Sequence, residues 1–437
     1  MQPNRFFPAG FTNFCGTVVK RKLSGLRWYV AGMLCLATGL NYLDRQSLSV
    51  LAGTIKSELN ISTVEYSYIT SAFLVSYMIM YAVSGRLVDR LGTRHSFTVF
   101  VSAWSVASAL HALAHTAMHF TIFRFLLGAT EPANFPAGIK ACSEWFPVRE
   151  RALAVGIFNS GSAIGAAVAA PLISWIALTW GWRSAFLLGG ALGVIWVLGW
   201  ILFYRRPEEH PSLSSQELAW IKAGDKENDF RSPPSVGRLL RMKETWGCVL
   251  ARALTDPISY FFIFWTPLFL QQERGFDLAA IGKYSWIPFV ALAFGNLAGG
   301  MVPRQLMRRN WSLNRARKTV MATASIIIPA CCLAVTSVPN ATTAITAISV
   351  AMFCHAAWAN MTLPAEVFPK RAVGSVSGFG GALGALVGAG TTIAIGWTVE
   401  KISFVPVFMV VAILPLTAFL LVCALVRNLG VIREISD

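Results

Sequence analysis

Apolar positions along the 437-residue chain gather into twelve long runs separated by short polar gaps: roughly 28–51, 66–88, 95–114, 119–141, 151–176, 183–204, 246–270, 281–303, 318–338, 341–364, 372–397 and 403–426. A transmembrane helix needs about 17–25 predominantly apolar residues, so the pattern predicts an all-α membrane protein of twelve transmembrane helices. One long polar stretch, 205–245, carries mixed charge and Pro207, Pro211, Pro233 and Pro234. It divides the chain into segments 1–27, 28–204 (six helices), 205–245, 246–426 (six helices) and a tail, 427–437. Within the polar stretch Ser214 and Glu217 have capping-box spacing, and Leu213, Leu218 and Ile221 line one face of a short helix expected to lie on the inner membrane surface.

Composition agrees: 55% of residues are hydrophobic and 13% charged, against about 45–50% and about 25% in soluble domains. The net charge of +16 gathers in alternate loops, RLVDRLGTR (86–94) and PRQLMRRNWSLNRARK (303–318) above all. That distribution fits the positive-inside rule and anionic lipid headgroups better than a nucleic-acid partner, and it places both termini in the cytoplasm. Residues 1–27 are basic without an apolar core and cleavage site, so no signal peptide is read. The eight cysteines show neither a pairing framework nor metal spacing. His111, His115 and His119 straddle a turn between two runs, which argues against a metal site.

The chain also repeats itself. SEWFPVRERALAVG (143–156) pairs with AEVFPKRAVGSVSG (365–378), each ending a span with an acid, then Phe-Pro, basic residues and a small-residue-rich span. Two six-helix halves related in this way are the pattern of secondary transporters that rock about a midplane site. The glycine runs GIFNSGSAIG and GSVSGFGGALGALVGAG suit close helix contact; no Walker spacing or Rossmann context accompanies them, and no HExxH or nucleophile constellation suggests an enzyme.

The charges inside the apolar runs carry the chemistry. NYLDRQSL (41–48) puts Asp44 and Arg45 side by side where each costs roughly 2.5–3.5 kcal/mol, and such residues tend to face a cavity and carry function. Neighbours on a helix point about 100° apart, so each needs a partner elsewhere. Arg124 and Glu131 lie two turns apart on one face of the fourth run, and Asp44 and Glu131 lie about 15 Å deep at 1.5 Å per residue. Two arginines and two acids sum to zero, and only the acids release protons. A substrate carboxylate bound by the planar fork of Arg45 therefore leaves the site negative unless Asp44 or Glu131 takes up a proton. A static network that fixes helix packing is the competing reading. For substrate hydroxyls, Tyr42, Tyr77, Asn159 and Ser162 face the expected cavity from the first half, and Tyr260, Asn360, Ser375 and Ser377 from the second. His355 sits at its edge.

At GRLVDRLGTR (85–94) the chain resembles the major facilitator superfamily. The stretches NYLDRQSLSVLA, RFLLGATEPANFPAGIKACSEWFP (124–147), FNSGSAIGAAVAAPLI (158–173) and LPAEVFPKRAVGSVSGFGGALG (363–384) resemble its anion:cation symporter family, the bacterial hexuronate transporters most closely. The resemblance runs from about residue 27 to the C-terminus. Two departures stand out: GGMVPR, with Pro303 and Arg304 where relatives carry Ser-Asp, and Ser259-Tyr260 where relatives often carry two tryptophans.

The resemblance implies a multi-pass bacterial inner-membrane symporter, active as a monomer and without a cofactor, that imports a small organic anion with protons as the coupling ion. The expected substrate is a hexuronate such as galacturonate or glucuronate. It also implies Asp44 and Glu131 as proton carriers and Arg45 as carboxylate anchor. Gly85, Asp89, Arg90 and Arg94 are read as a cytoplasmic gate. Another organic anion (an aldonate, aldarate or aromatic acid) and a non-transporting ligand sensor stay open as alternatives.

Overall fold

A computed structural model describes residues 25–222, 235–358 and 363–430. Asn360 lies outside the described residues, as do residues 1–24 and 431–437. Among the described residues the elements are helices: α1 Leu26–Val50, α2 Ala52–Leu59, α3 Thr63–Leu110, α4 Ala117–Thr130, α5 Asn134–Trp145, α6 Val148–Trp180, α7 Trp182–Phe203, α8 Ser215–Lys222, α9 Val236–Leu239, α10 Lys243–Arg274, α11 Leu278–Tyr284, α12 Ile287–Arg308, α13 Leu313–Ser337, α14 Ala341–Ala357, α15 Leu363–Val367, α16 Lys370–Lys401 and α17 Val405–Leu425.

Within the described residues the apolar runs fall on helical chain, the tenth (341–364) on α14 and the start of α15 with 359–362 outside the described residues, and the others show three local departures. The second and third runs are two helical arms of α3 that fold back on each other at Gly92, so that Phe73 and Ser108, one on each arm, both reach the Asp44–Arg45 pair of α1. The expected loop is reduced to a tight reversal at Gly92, whose φ of 75° and ψ of 163° suit a residue without a side chain. The fourth run breaks at Glu131–Ala133, a short 3-10 turn, because Pro132 has no N–H to donate and its ring crowds the preceding turn. The eighth run divides between α11 and α12. Eight helices, α3, α6, α7, α10, α13, α16, α17 and the α11–α12 stretch, are long and apolar enough to cross a membrane by themselves. The polar-rich α1 and the interrupted α4–α5 are not among them.

Local chemistry starts the helices. Ser62 and Glu65 form a capping box at α3: Ser62 Oγ accepts from Glu65 N (3.0 Å) while Glu65 Oε2 accepts from Ser62 N (2.8 Å). Ser214 likewise accepts from Glu217 N at 3.0 Å, but Glu217 does not complete the expected box. Its carboxylate accepts from Gly25 N (2.9 Å) and Leu26 N (3.3 Å) and pairs with Arg27 Nη1 (2.8 Å). The free amides at the start of α1 and a nearby guanidinium outbid the acid's own helix terminus. Leu213 and Ile221 are buried beneath α8.

Glycines set the closest helix contacts. A Cβ on Gly161 would lie 2.0 Å from the Cys35 carbonyl oxygen of α1, and one on Gly165 would lie 2.1 Å from that of Gly39. The two halves meet along α3 and α16, which run antiparallel. Far from the termini they are closely joined: Gly396 packs on Ser67, Ser71 Oγ donates to the Ala389 carbonyl (3.0 Å), and Glu400 Oε2 accepts from Val64 N (2.8 Å). Tyr66 donates to the Phe264 carbonyl of α10 at 2.8 Å, and Gly282 of α11 packs on Ser174 of α6. Nearer the terminus-bearing face Tyr81 of α3 approaches Gly381 of α16. Beyond it Gly85, Gly156, Gly374 and Gly378 face open space.

Candidate functional site

The side chains of α1 converge with α3, α4 and the break after α4 on a buried polar cluster in the first half. Arg45 donates from Nη2 (2.7 Å) and Nε (3.2 Å) to the same oxygen of Glu131, Oε2, and from Nη2 to Asn41 Oδ1 (3.3 Å). Its guanidinium lies over Tyr42 (4.7 Å), Tyr77 (5.0 Å) and Phe73 (5.1 Å), a cation–π environment. Adjacent Asp44 points elsewhere, as helical geometry requires, and accepts from Ser108 Oγ at 2.7 Å. It is pressed there by α7, since a Cβ on Gly189 would lie 2.2 Å from Asp44 Oδ1. Arg124 reaches the Arg45 carbonyl at 3.5 Å.

Asp44, Arg45, Arg124 and Glu131 are all buried, yet the cluster is incompletely bonded. Arg124 Nε and Nη2, Asp44 Oδ2 and Glu131 Oε1 have no hydrogen-bond partner among the described residues. An unpaired buried polar atom costs about 1–3 kcal/mol, more if charged, so this arrangement is a poor static staple. It retains donors for an incoming anion and acceptors for a proton.

The other expected residues distribute as follows. Asn159 is exposed on α6, three helical turns before Ala170, which packs against α11, and so lies on the flank facing the second half. Ser162 spends its hydroxyl on the Asn159 carbonyl (2.7 Å) of its own helix. Tyr260 packs against Gly388, with Leu74 of the first half beside that contact. Ser375 and Ser377 are half-buried on α16. Ser259 Oγ and His355 Nε2 are 2.6 Å apart. His111 is buried with Nδ1 2.7 Å from the Ala107 carbonyl and its ring stacked on Phe186, away from the loop contact between His115 and His119.

At the expected gate, Asp89 is largely exposed and pairs with Lys140 (3.2 Å) of the same half. Arg90 is exposed, Gly85 faces open space, and Arg94 donates to the Ile201 carbonyl (2.8 Å). None of these contacts crosses between halves. In the second half, where Pro303 and Arg304 interrupt the repeat, Arg317 pairs with Glu366 and also donates to the Gly299 carbonyl (2.5 Å). The repeated acid of the first half, Glu144, accepts instead from Thr93 (2.8 Å) and Tyr204 (2.7 Å). The two acids of the internal repeat thus both staple neighbouring helices, one through hydroxyls and one through an arginine.

One pair was missed from the sequence. Arg252 Nε donates to Asp256 Oδ2 at 2.9 Å, one turn along α10, and Arg252 Nη1 donates to the Ser377 carbonyl at 3.1 Å. Two charges within an apolar run, ARALTDPISY, were the available signal.

Residues 34–392 match the Major Facilitator Superfamily. The chain belongs to that superfamily, and it is a multi-pass membrane transporter, not an enzyme. It is 35% identical to the hexuronate transporter of Escherichia coli (strain K12) over 415 residues, 93% of this chain and 96% of that one. It is 36% identical to the galacturonate transporter of Dickeya chrysanthemi over 312 residues, 70% of this chain and 90% of that one. Among solved structures, a bacterial homologue of the human lysosomal transporter Spinster, inward-facing and occupied, superposes with a TM-score of 0.74 at 19% identity, covering 93% of this chain and 98% of that chain.

Proposed function

We propose that the protein is a proton-coupled symporter that imports a hexuronate, galacturonate or glucuronate, across a bacterial inner membrane by alternating access, with both termini cytoplasmic. The observation that carries the reading is the buried Asp44–Arg45–Arg124–Glu131 cluster, balanced in formal charge and short of hydrogen bonds. A substrate carboxylate competes with Glu131 for Arg45. Proton uptake by Glu131 releases Arg45 and offsets the added negative charge, whose uncompensated burial is costly. Arg124 offers its unpartnered donors to the same anion or to Asp44.

Alternating access is supported by the asymmetry between the two faces. The halves are hydrogen-bonded far from the termini, whereas beyond Tyr81 and Gly381 the glycines at 85, 374 and 378 face open space. With the termini cytoplasmic, this is an inward-open state, and the exposed Asp89 with Arg90 and Arg94 belongs to a gate that closes in the opposite state. The substrate class is supported by the relatives' names, hexuronate and galacturonate transporters. The 205–245 stretch joins two six-helix bodies, 28–204 and 246–426, that rock about the site.

Uptake of radiolabelled glucuronate into sealed proteoliposomes under an inward proton gradient tests the proposal. Accumulation that collapses with a protonophore is the expected result. Binding of glucuronate without any accumulation would instead assign the protein as a sensor, and transport of only an aldonate or aldarate would keep the mechanism and change the substrate.

A further inference from the structure

Arg252 and Asp256 stand where the two halves part. The guanidinium lies against α16, with Cδ 3.1 Å from a Cβ position on Gly380, and Asp256 Oδ2 is 2.4 Å from one on Gly384. Across the halves, Tyr81 Cε1 and Arg252 Nη1 are 3.1 and 3.2 Å from the same Cβ position on Gly381. Tyr81 stacks on Tyr77 at 6.0 Å between ring centroids, and Tyr77 lies under Arg45 at 5.0 Å. Arg45 and Arg252 are therefore the two ends of a ladder whose rungs are Tyr77 and Tyr81, and past Arg252 Gly85, Gly374 and Gly378 face open space.

We propose that Arg252 is a second anion station, at the threshold of the open vestibule, which receives the substrate carboxylate as it leaves Arg45, and that Asp256 is the built-in competitor that lets it go. The inference rests on the proposed anion transport and adds a residue pair to it. A carboxylate crossing the Tyr77–Tyr81 stretch leaves one fixed positive charge, and a second within reach lowers the cost of the step. Conduction also requires that the next site bind weakly enough to release. Arg252 meets both conditions: its Nη2 takes part in neither the Asp256 nor the Ser377 contact, its side chain is 14% exposed, and Asp256 already offsets its charge. A polyhydroxy monocarboxylate is the fitting ligand class, with Tyr77, Tyr81 and Tyr260 available to its hydroxyls.

The test compares wild type with Asp256→Asn, Arg252→Gln and the double variant, using glucuronate binding by the purified full-length protein and proton-driven uptake in proteoliposomes. Asp256→Asn is expected to lower the apparent Kd at least fivefold and to slow maximal uptake at least threefold. Arg252→Gln is expected to keep Kd within twofold, because Arg45 still anchors, and to slow uptake at least fivefold, as is the double variant. An unchanged Kd in Asp256→Asn, or wild-type uptake in the double variant, overturns the station and leaves the pair a structural staple. Absence of glucuronate binding and uptake in the wild type overturns the transport reading and the station with it.

Discussion

Glu131→Gln separates the two duties assigned to that residue, competing for Arg45 and carrying a proton. Both contacts from Arg45 end on Oε2, at 2.7 and 3.2 Å, whereas Oε1 has no partner among the described residues. An amide can therefore keep its oxygen on Arg45 and place its nitrogen where Oε1 was, with the cluster's shape preserved. What it loses is its negative charge. Arg45 stays charged, so the amide oxygen still accepts from a charged donor, but the attraction between opposite charges is lost, about 1 kcal/mol at 4 Å in water and about 4 kcal/mol at an effective dielectric of 20, so the competitor is weakened by upwards of about 1 kcal/mol. Since about 1.4 kcal/mol is tenfold in affinity, the variant should bind glucuronate about tenfold more tightly at neutral pH. It should exchange labelled for unlabelled glucuronate across proteoliposomes yet fail to accumulate it under an inward proton gradient. Binding isotherms in detergent and paired exchange and accumulation assays give the answer. Weaker or unchanged binding would refute the competition, and full accumulation by Asp44→Asn/Glu131→Gln would refute proton carriage by these acids altogether.

Other predictions concern closure and packing. Glu400→Gln removes an anion from the first turn of α3, worth about 0.3–1 kcal/mol, and spin labels placed across the far ends of α3 and α16 should report a larger separated population; an unchanged distribution would exclude a closing role. Lys56, beyond the first apolar run, is pushed down to about 8 by burial, partly opposed by Glu400. A lowered lysine pKa penalises the folded protein below about pH 8 and the penalty lifts as pH rises toward the unfolded value of about 10.4, so Tm in detergent should rise over that window in wild type and not in Lys56→Met. Gly161→Ala drives a methyl into the Cys35 carbonyl, and overpacking typically costs about 1–3 kcal/mol; wild-type Tm and uptake would show that α1 and α6 yield there freely.

Much of this architecture was legible because the bilayer restricts the choices. A backbone in lipid must satisfy its own hydrogen bonds, so a run such as 183–204 has little option but to be α7, Trp182–Phe203. The run boundaries were less legible where a single residue decided them. Gly92 tightens a predicted loop into a one-residue reversal because its φ of 75° suits a residue without a side chain. Glu217 reads as the return half of a capping box only while its own helix is considered alone; the donors that claim it belong to α1, 190 residues away.

The same distinction governs the site. Asp44 and Arg45 announced themselves because adjacent helical residues diverge, which left two buried charges in need of distant partners. Arg252 and Asp256 carry the same two charges in a similar apolar setting, but at i,i+4 they face each other and pair on one helix. A self-paired arginine and acid imply nothing beyond α10 until Tyr81 and the α16 glycines are placed beside them. Local spacing thus reveals a buried charge when it fails to neutralise it and conceals one when it succeeds. A self-neutralised pair at the threshold of a pathway is also suited to hold an anion briefly, because a guanidinium without its acid would bind the carboxylate too well to pass it on.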